Sequence, residues 1–191
     1  MTIQGHSPSP LRFPRGTAAA LLALLAAGLA PAAALAQGAP GATTVGPCTT
    51  RVLEEPARRA FACTGGLVFE AEAAASLGIT LSGEDAPLEE IGLRSGAAWI
   101  EDAPAPGHTF QIRTPHAIAS VRGTVWAVDV DSGATAVFVA EGQVAVAHAD
   151  APSRPVLLGP GEGVDVVPGA PLEVKTWGAA RVAALMERFG R

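Results

Sequence analysis

Residues 113–146 read RTPHAIASVRGTVWAVDVDSGATAVFVAEGQVAV, and the reading of this run decides the fold. Thr114-Pro115 sets an extended backbone at its start, because a proline ring crowds the residue before it out of the helical region. From there apolar and polar residues alternate, turn at Asp131-Ser132-Gly133, alternate again and turn at Glu141-Gly142. Period two between Gly- and Asp-bearing turns describes half-buried strands, since a helix would repeat at 3.6. The fold class is therefore mainly β.

The pattern extends outward as a repeat. Placed at an offset of 46 residues, 91–121 overlies 137–167: Leu93 falls on Val139, Gly96 on Gly142, Ala98 on Val144, Ile112 on Leu158. Each copy reads as a strand, a glycine turn, a second strand, a proline-containing loop (APAPG, then DAPSRP) and a further strand. Fixed-period similarity in strands points to a short β-roll or solenoid, with a sandwich as the other arrangement. Upstream, Leu67–Ala75 (LVFEAEAAA) has helix-forming Glu and Ala but follows Gly65-Gly66 with Leu67-Val68-Phe69, and it reads as a strand. Downstream of Pro168-Gly169-Ala170-Pro171, Val182, Leu185, Met186 and Phe189 fall at i, i+3, i+4 and i+7, one face of a helix. Arg181, Glu187 and Arg188 lie on its other side. This helix is expected to fold over an open end of the β structure and cover strand edges. The alternative reading is a helix that docks a partner.

Residues 1–36 stand apart. Arg12 and Arg15 precede the run Thr17–Ala30 of Ala, Leu, Thr and Gly, and Ala34-Leu35-Ala36 supplies a small-x-small cleavage pattern. This is read as a cleaved signal peptide for export to the periplasm, with a retained inner-membrane anchor as the alternative. The remainder divides into a flexible mature N-terminus (37–47), a disulfide-bearing segment packed on the domain (48–90), the repeat-bearing β domain (91–167) and a C-terminal linker and helix (168–191). Without Arg12 and Arg15 the chain keeps 11 Lys+Arg against 18 Asp+Glu, a net charge of −7. That balance argues against nucleic acid and anionic membrane as partners. Cys48 and Cys63 are the only cysteines, and in an exported chain they are expected to pair. Closing that loop stabilises by about 3 kcal/mol in the chain-entropy model.

Reaction chemistry finds little support. His6, His108, His116 and His148 show no metal-ligand spacing and none neighbours a cysteine. The acids Glu54-Glu55, Glu84-Asp85, Glu89-Glu90 and Glu101-Asp102 mostly flank Pro or Gly and read as solvated turns. Asp129-Val130-Asp131-Ser132-Gly133 superficially resembles a calcium loop. Its glycine comes one residue early and position 12 is Ala140, so a hairpin turn is the better reading. Gly159–Gly163 (GPGEG) has no lysine for a phosphate and reads as a tight turn. Trp99, Trp126 and Trp177 are expected in the core. No catalytic residue, cofactor, metal or small-molecule substrate is assigned. Arg122 beside Gly123 inside an alternating strand calls for a bulge or a close backbone approach.

Thr114-Pro115, Val121-Arg122-Gly123-Thr124, Val128, Glu141-Gly142-Gln143-Val144 and Leu158-Gly159-Pro160-Gly161-Glu162 resemble, in order, the motifs of the FecR family of bacterial envelope proteins. The resemblance covers about residues 93–167. It implies a periplasmic, mostly β domain. In the family's signalling members it implies a relay from an occupied outer-membrane siderophore transporter to a sigma factor across the inner membrane. Those members carry a cytoplasmic anti-sigma segment ahead of a membrane span, whereas 16 residues precede the apolar run here. The expectation is thus a non-enzymatic FecR-type interaction domain that binds another envelope protein, accessory to envelope signalling or metal-uptake regulation. The alternative is a structural envelope or surface protein with no signalling role.

Overall fold

The alternation in residues 125–141 becomes a hairpin, and Asp131 makes its turn. The Asp131 carboxylate accepts the N–H groups of Gly133 (2.7 Å) and Ala134 (2.8 Å), the local bonding that favours Asp at turns. The computed structural model describes residues 43–81, 88–103, 110–121 and 123–191. The expected signal peptide, residues 37–42, Glu84-Asp85, His108 and Arg122 lie outside the described residues.

The strands are β1 (Thr43–Val45), β2 (Cys48–Glu54), β3 (Ala57–Cys63), β4 (Leu67–Glu72), β5 (Ser76–Leu81), β6 (Leu88–Asp102), β7 (Phe110–Arg113), β8 (Ala117–Val121), β9 (Val125–Val130), β10 (Thr135–Glu141), β11 (Val144–His148), β12 (Ala151–Leu158), β13 (Glu162–Val166) and β14 (Lys175–Thr176), followed by helix α1 (Ala179–Glu187). They form one hydrogen-bonded network of two ladders. The large ladder runs β1-β2-β3-β4-β6-β9-β10-β13-β14. The small ladder runs β5-β6-β7-β8-β11-β12, with β6 common to both. Every pairing is antiparallel except β6 with β7. Both ladders belong to one open, mostly antiparallel 14-stranded sheet, and not to a stack of parallel coils. The core draws on both ladders: Ile100, Trp126 and Val137 from the large one join Ile91, Ile112 and Val146 from the small one in one buried cluster. Each such side chain contributes about 1.5–3 kcal/mol by leaving water.

The 46-residue repeat acquires a different meaning from stacked coils. Gly96 and Gly142 hold φ of 80° and 83°, and at each the chain passes between ladders. Beyond them the copies diverge. β8 lies between β7 and β11 in the small ladder, whereas its counterpart β13 pairs with β10 and β14 in the large one. What repeats is the kinked crossing strand. The crossing at Gly142 is double, because Val121 pairs with Val144 in the small ladder and Val125 with Glu141 in the large one. Two neighbouring strands therefore change ladder side by side. A Cβ at Gly142 would lie 2.6 Å from Thr124 Cγ2 and 2.8 Å from the Gly123 carbonyl oxygen. No side chain fits there.

Several expectations change. Thr43–Val45, within the stretch expected to be flexible, pairs with β2. The 48–90 segment is joined to the β domain edge to edge, since β4 hydrogen-bonds β6. DAPSRP contributes to strand β12 instead of a loop, at an edge where Pro152 and Pro155 need no partner for their missing N–H. Cys48 and Cys63 face each other across the β2–β3 hairpin and form the expected disulfide.

Helix α1 covers a face, not an open end. Trp99, Phe138, Ala97 and Ala127 alternate onto the outer side of the large ladder, and Leu185 and Phe189 bury them. Nine residues make too short a helix to persist alone, so packing and charge must hold it. Arg188, expected on the solvent side, reaches back to Glu72 (2.8 Å) and to Asp129. Arg191 binds Glu101 (2.9 Å) and stacks 4.9 Å from the centre of the Trp99 ring. Arg181 lies 3.5 Å above the Trp177 ring and pairs with Asp165.

The Arg188 guanidinium, aided by the Ala97 N–H and opposed by burial, holds the Glu72 carboxyl below its ordinary 4.5. A lowered carboxylate pKa contributes stability that is complete above about pH 4.5 and is lost as pH falls through the lowered value. Thermal melts between pH 7 and pH 3 should therefore show a larger loss for the native protein than for Glu72→Gln. Arg188→Ala at pH 7 should cost about 1–2 kcal/mol, since the cluster is only partly shielded from water. At the crossing, Gly142→Ala combines a strained φ with a clash and should cost about 2–4 kcal/mol in a denaturant titration. Gly161→Ala, at φ 80° with open space around it, should cost only about 1 kcal/mol.

Candidate functional site

The motif residues named from the sequence gather at the double crossing and at the β7–β8 turn. Thr114 is buried, and its hydroxyl serves as a cap: it accepts the N–H of Ala117 (2.8 Å) and of His116 (3.2 Å) and lies 2.8 Å from the Thr135 hydroxyl. Pro115 follows at the exposed corner of that turn. Val121 and Thr124 are buried on either side of Gly123, at φ 62°. Glu141 is exposed at the end of β10, and Gly142 rests on Thr124. Most of these residues hold the backbone in place, while Thr114 and Pro115 also line an open cleft beside β5 and β6.

One residue of the corner escaped the sequence reading. Asp102 is buried at 7% exposure, although Glu101-Asp102 was expected as a solvated turn. Its carboxylate accepts the Gly123 N–H (3.0 Å), and its own N–H donates to the Thr124 carbonyl (2.9 Å). It thus grips both residues after Arg122. The only signal in the sequence was its place at the end of an alternating strand. Its neighbour Glu101 is held below its ordinary pKa first by the Trp99 indole N–H and then by Arg191.

The histidines also come closer than their spacing implied. His116 and His148, with Asp150, line a pocket of about 130 Å3. The ring of His116 lies 3.1 Å from the Thr135 hydroxyl, and that of His148 2.9 Å from the Ala170 carbonyl. Both rings therefore engage their own fold. Among the described residues no group of three His, Cys, Asp or Glu side chains could hold a metal.

The outer face of the small ladder holds an open cleft of about 490 Å3. Gly78 of β5 pairs with Gly92 of β6, so bare backbone forms its floor. Arg94, Glu90 and Arg113 border it. Glu90 is engaged by Arg113 (3.2 Å) and by the Gln111 amide. Arg94 is exposed and makes no hydrogen bond or ion pair with the described residues. Among the described residues, the cleft therefore presents one uncompensated positive charge.

Residues 57–145 match the family model described as FecR protein. No curated protein matches the sequence. The crystal structure of "a putative anti-sigma factor from Parabacteroides distasonis ATCC 8503" at 1.65 Å shares the fold, with a TM-score of 0.53 and 20% identity over 68% of this chain and 60% of that one. The chain thus spans about three fifths of the length of the structure it matches. A second crystal structure under the same description, at 2.50 Å, aligns with a TM-score of 0.45 and 19% identity over 76% of this chain and 62% of that one, and no weight is placed on it. The family model takes in the Thr114 turn and the double crossing together, so that residues 57–145 are similar to a FecR domain.

Proposed function

We propose that this protein is a non-enzymatic, periplasmic interaction module that binds another envelope protein and takes part in envelope signalling, with metal uptake as the regulated process. The observation that carries the reading is the FecR match over residues 57–145, whose motif residues serve to hold the two ladders together. A domain whose distinctive residues act as internal joints offers its strand edges and outer faces to other molecules. The Cys48–Cys63 disulfide supports an exported location, because such bonds persist in oxidising compartments. The fold shared with a solved protein described as an anti-sigma factor supports a regulatory setting. The net charge of −5 argues for a protein partner over nucleic acid.

Transcript profiling of a deletion strain tests the role. A change confined to a small set of transcripts, those for outer-membrane uptake among them, is expected, with reversal on complementation. Leakage of periplasmic contents with unchanged transcripts would overturn signalling in favour of a structural role.

A further inference from the structure

The four strand edges that are free among the described residues differ in how they are guarded. Unpaired edge N–H and C=O groups invite another strand, and proteins blunt them with brevity, proline or charge. In the large ladder, edge strand β1 has three residues and β14 two, one of them Lys175. In the small ladder, β12 carries Pro152, Arg154 and Pro155. The remaining edge, β5, reads SLGITL. It is six residues long, has no proline or charge, and pairs only with β6 among the described residues.

The unguarded edge adjoins the cleft that holds Arg94. Gly78 lies on β5 between solvent and that cleft, and a Cβ there would meet nothing within 4 Å. A strand laid along β5 would face Gly78 with one of its outward side chains. With no side chain intervening at Gly78 or Gly92, a carboxylate there could reach across the floor toward Arg94. The charge suits this: Glu90 is already engaged by Arg113, and Arg94 is the rim cation with no partner among the described residues.

We propose that β5 is a strand-addition site for an extended segment of another protein, and that an acidic side chain of this segment enters the cleft to pair with Arg94. Main-chain hydrogen bonds along β5 supply the affinity, and the Arg94 pair fixes register and selects acidic segments. This deepens the interaction-module reading and rests on it.

The test uses the full chain in the cells that make it, with the photo-crosslinking residue benzoylphenylalanine at Thr80 on β5 or at Ser153 on the guarded edge β12. Both positions are exposed. Adducts of one discrete mass are expected from Thr80 and not from Ser153. Arg94→Glu in the Thr80 background should cut adduct yield by about tenfold, the effect of losing roughly 1.4 kcal/mol, while Arg94→Lys largely restores it. Gly78→Lys, which places a charge on the edge where there is room for it, should abolish the adduct. Melting temperatures of the purified variants within a few degrees of the native value exclude misfolding as the cause. Unchanged yield in Arg94→Glu overturns the acidic pairing, and an adduct with the mass of two copies overturns a foreign partner. Adducts from Ser153 alone overturn the β5 assignment and leave the interaction reading intact. Adducts at neither position overturn strand addition, and the transcript response then decides the broader reading separately.

Discussion

Two backbones touch where the chain changes ladder. Gly142 rests on Gly123 and Thr124 with no space for a Cβ, and the ordering of both ladders follows from that contact. β8 and β11 are neighbours in the small ladder, and β9 and β10 are neighbours in the large one. The links between them must therefore cross as a pair, closer than two side-chain-bearing strands could approach. Asp102 fixes the same corner from a third strand, binding the Gly123 N–H with its carboxylate and the Thr124 carbonyl with its own N–H. A core of small and branched side chains can then close around both ladders at once, since the ladders are already held in register.

The outer side of the large ladder is the second constraint. Trp99, Phe138, Ala97 and Ala127 would leave an apolar patch on the surface were it not for Leu185 and Phe189. A nine-residue helix can serve as the cover only because arginines on both sides of it find partners on the sheet. The helix thus encloses the outer side of the large ladder where β6, β9 and β10 lie, while Val52 on β2 and Val68 on β4 stay exposed.

Much of this was legible in the residues. Alternation marked the strands, Asp131 and Gly133 marked the central turn, and the paired cysteines and the apolar face of α1 were read correctly. The equivalence of Gly96 and Gly142 was visible at an offset of 46 residues, but not its cause, because a sequence pattern records a kink and not which ladder lies on either side of it. Contacts between distant residues were hidden for the same reason. Arg188 reads as a solvent-facing helix residue until Glu72, 116 positions earlier, is brought beneath it. Asp102 reads as a turn acid until Gly123 folds over it. Edge strands such as β12 resemble loops in sequence, since the proline and arginine that guard an edge are also loop residues.

The central claim is that Asp102, Thr114, Gly123 and Gly142 form the rigid joint of the domain. Backbone hydrogen exchange in the native protein tests this most directly. The amides of Asp102, Gly123 and Ala117, which donate to the Thr124 carbonyl, the Asp102 carboxylate and the Thr114 hydroxyl, should exchange only through global unfolding, as slowly as the centre of β9. Exchange of these amides at the rate of the exposed turn near Gly169, with β9 still protected, would contradict it.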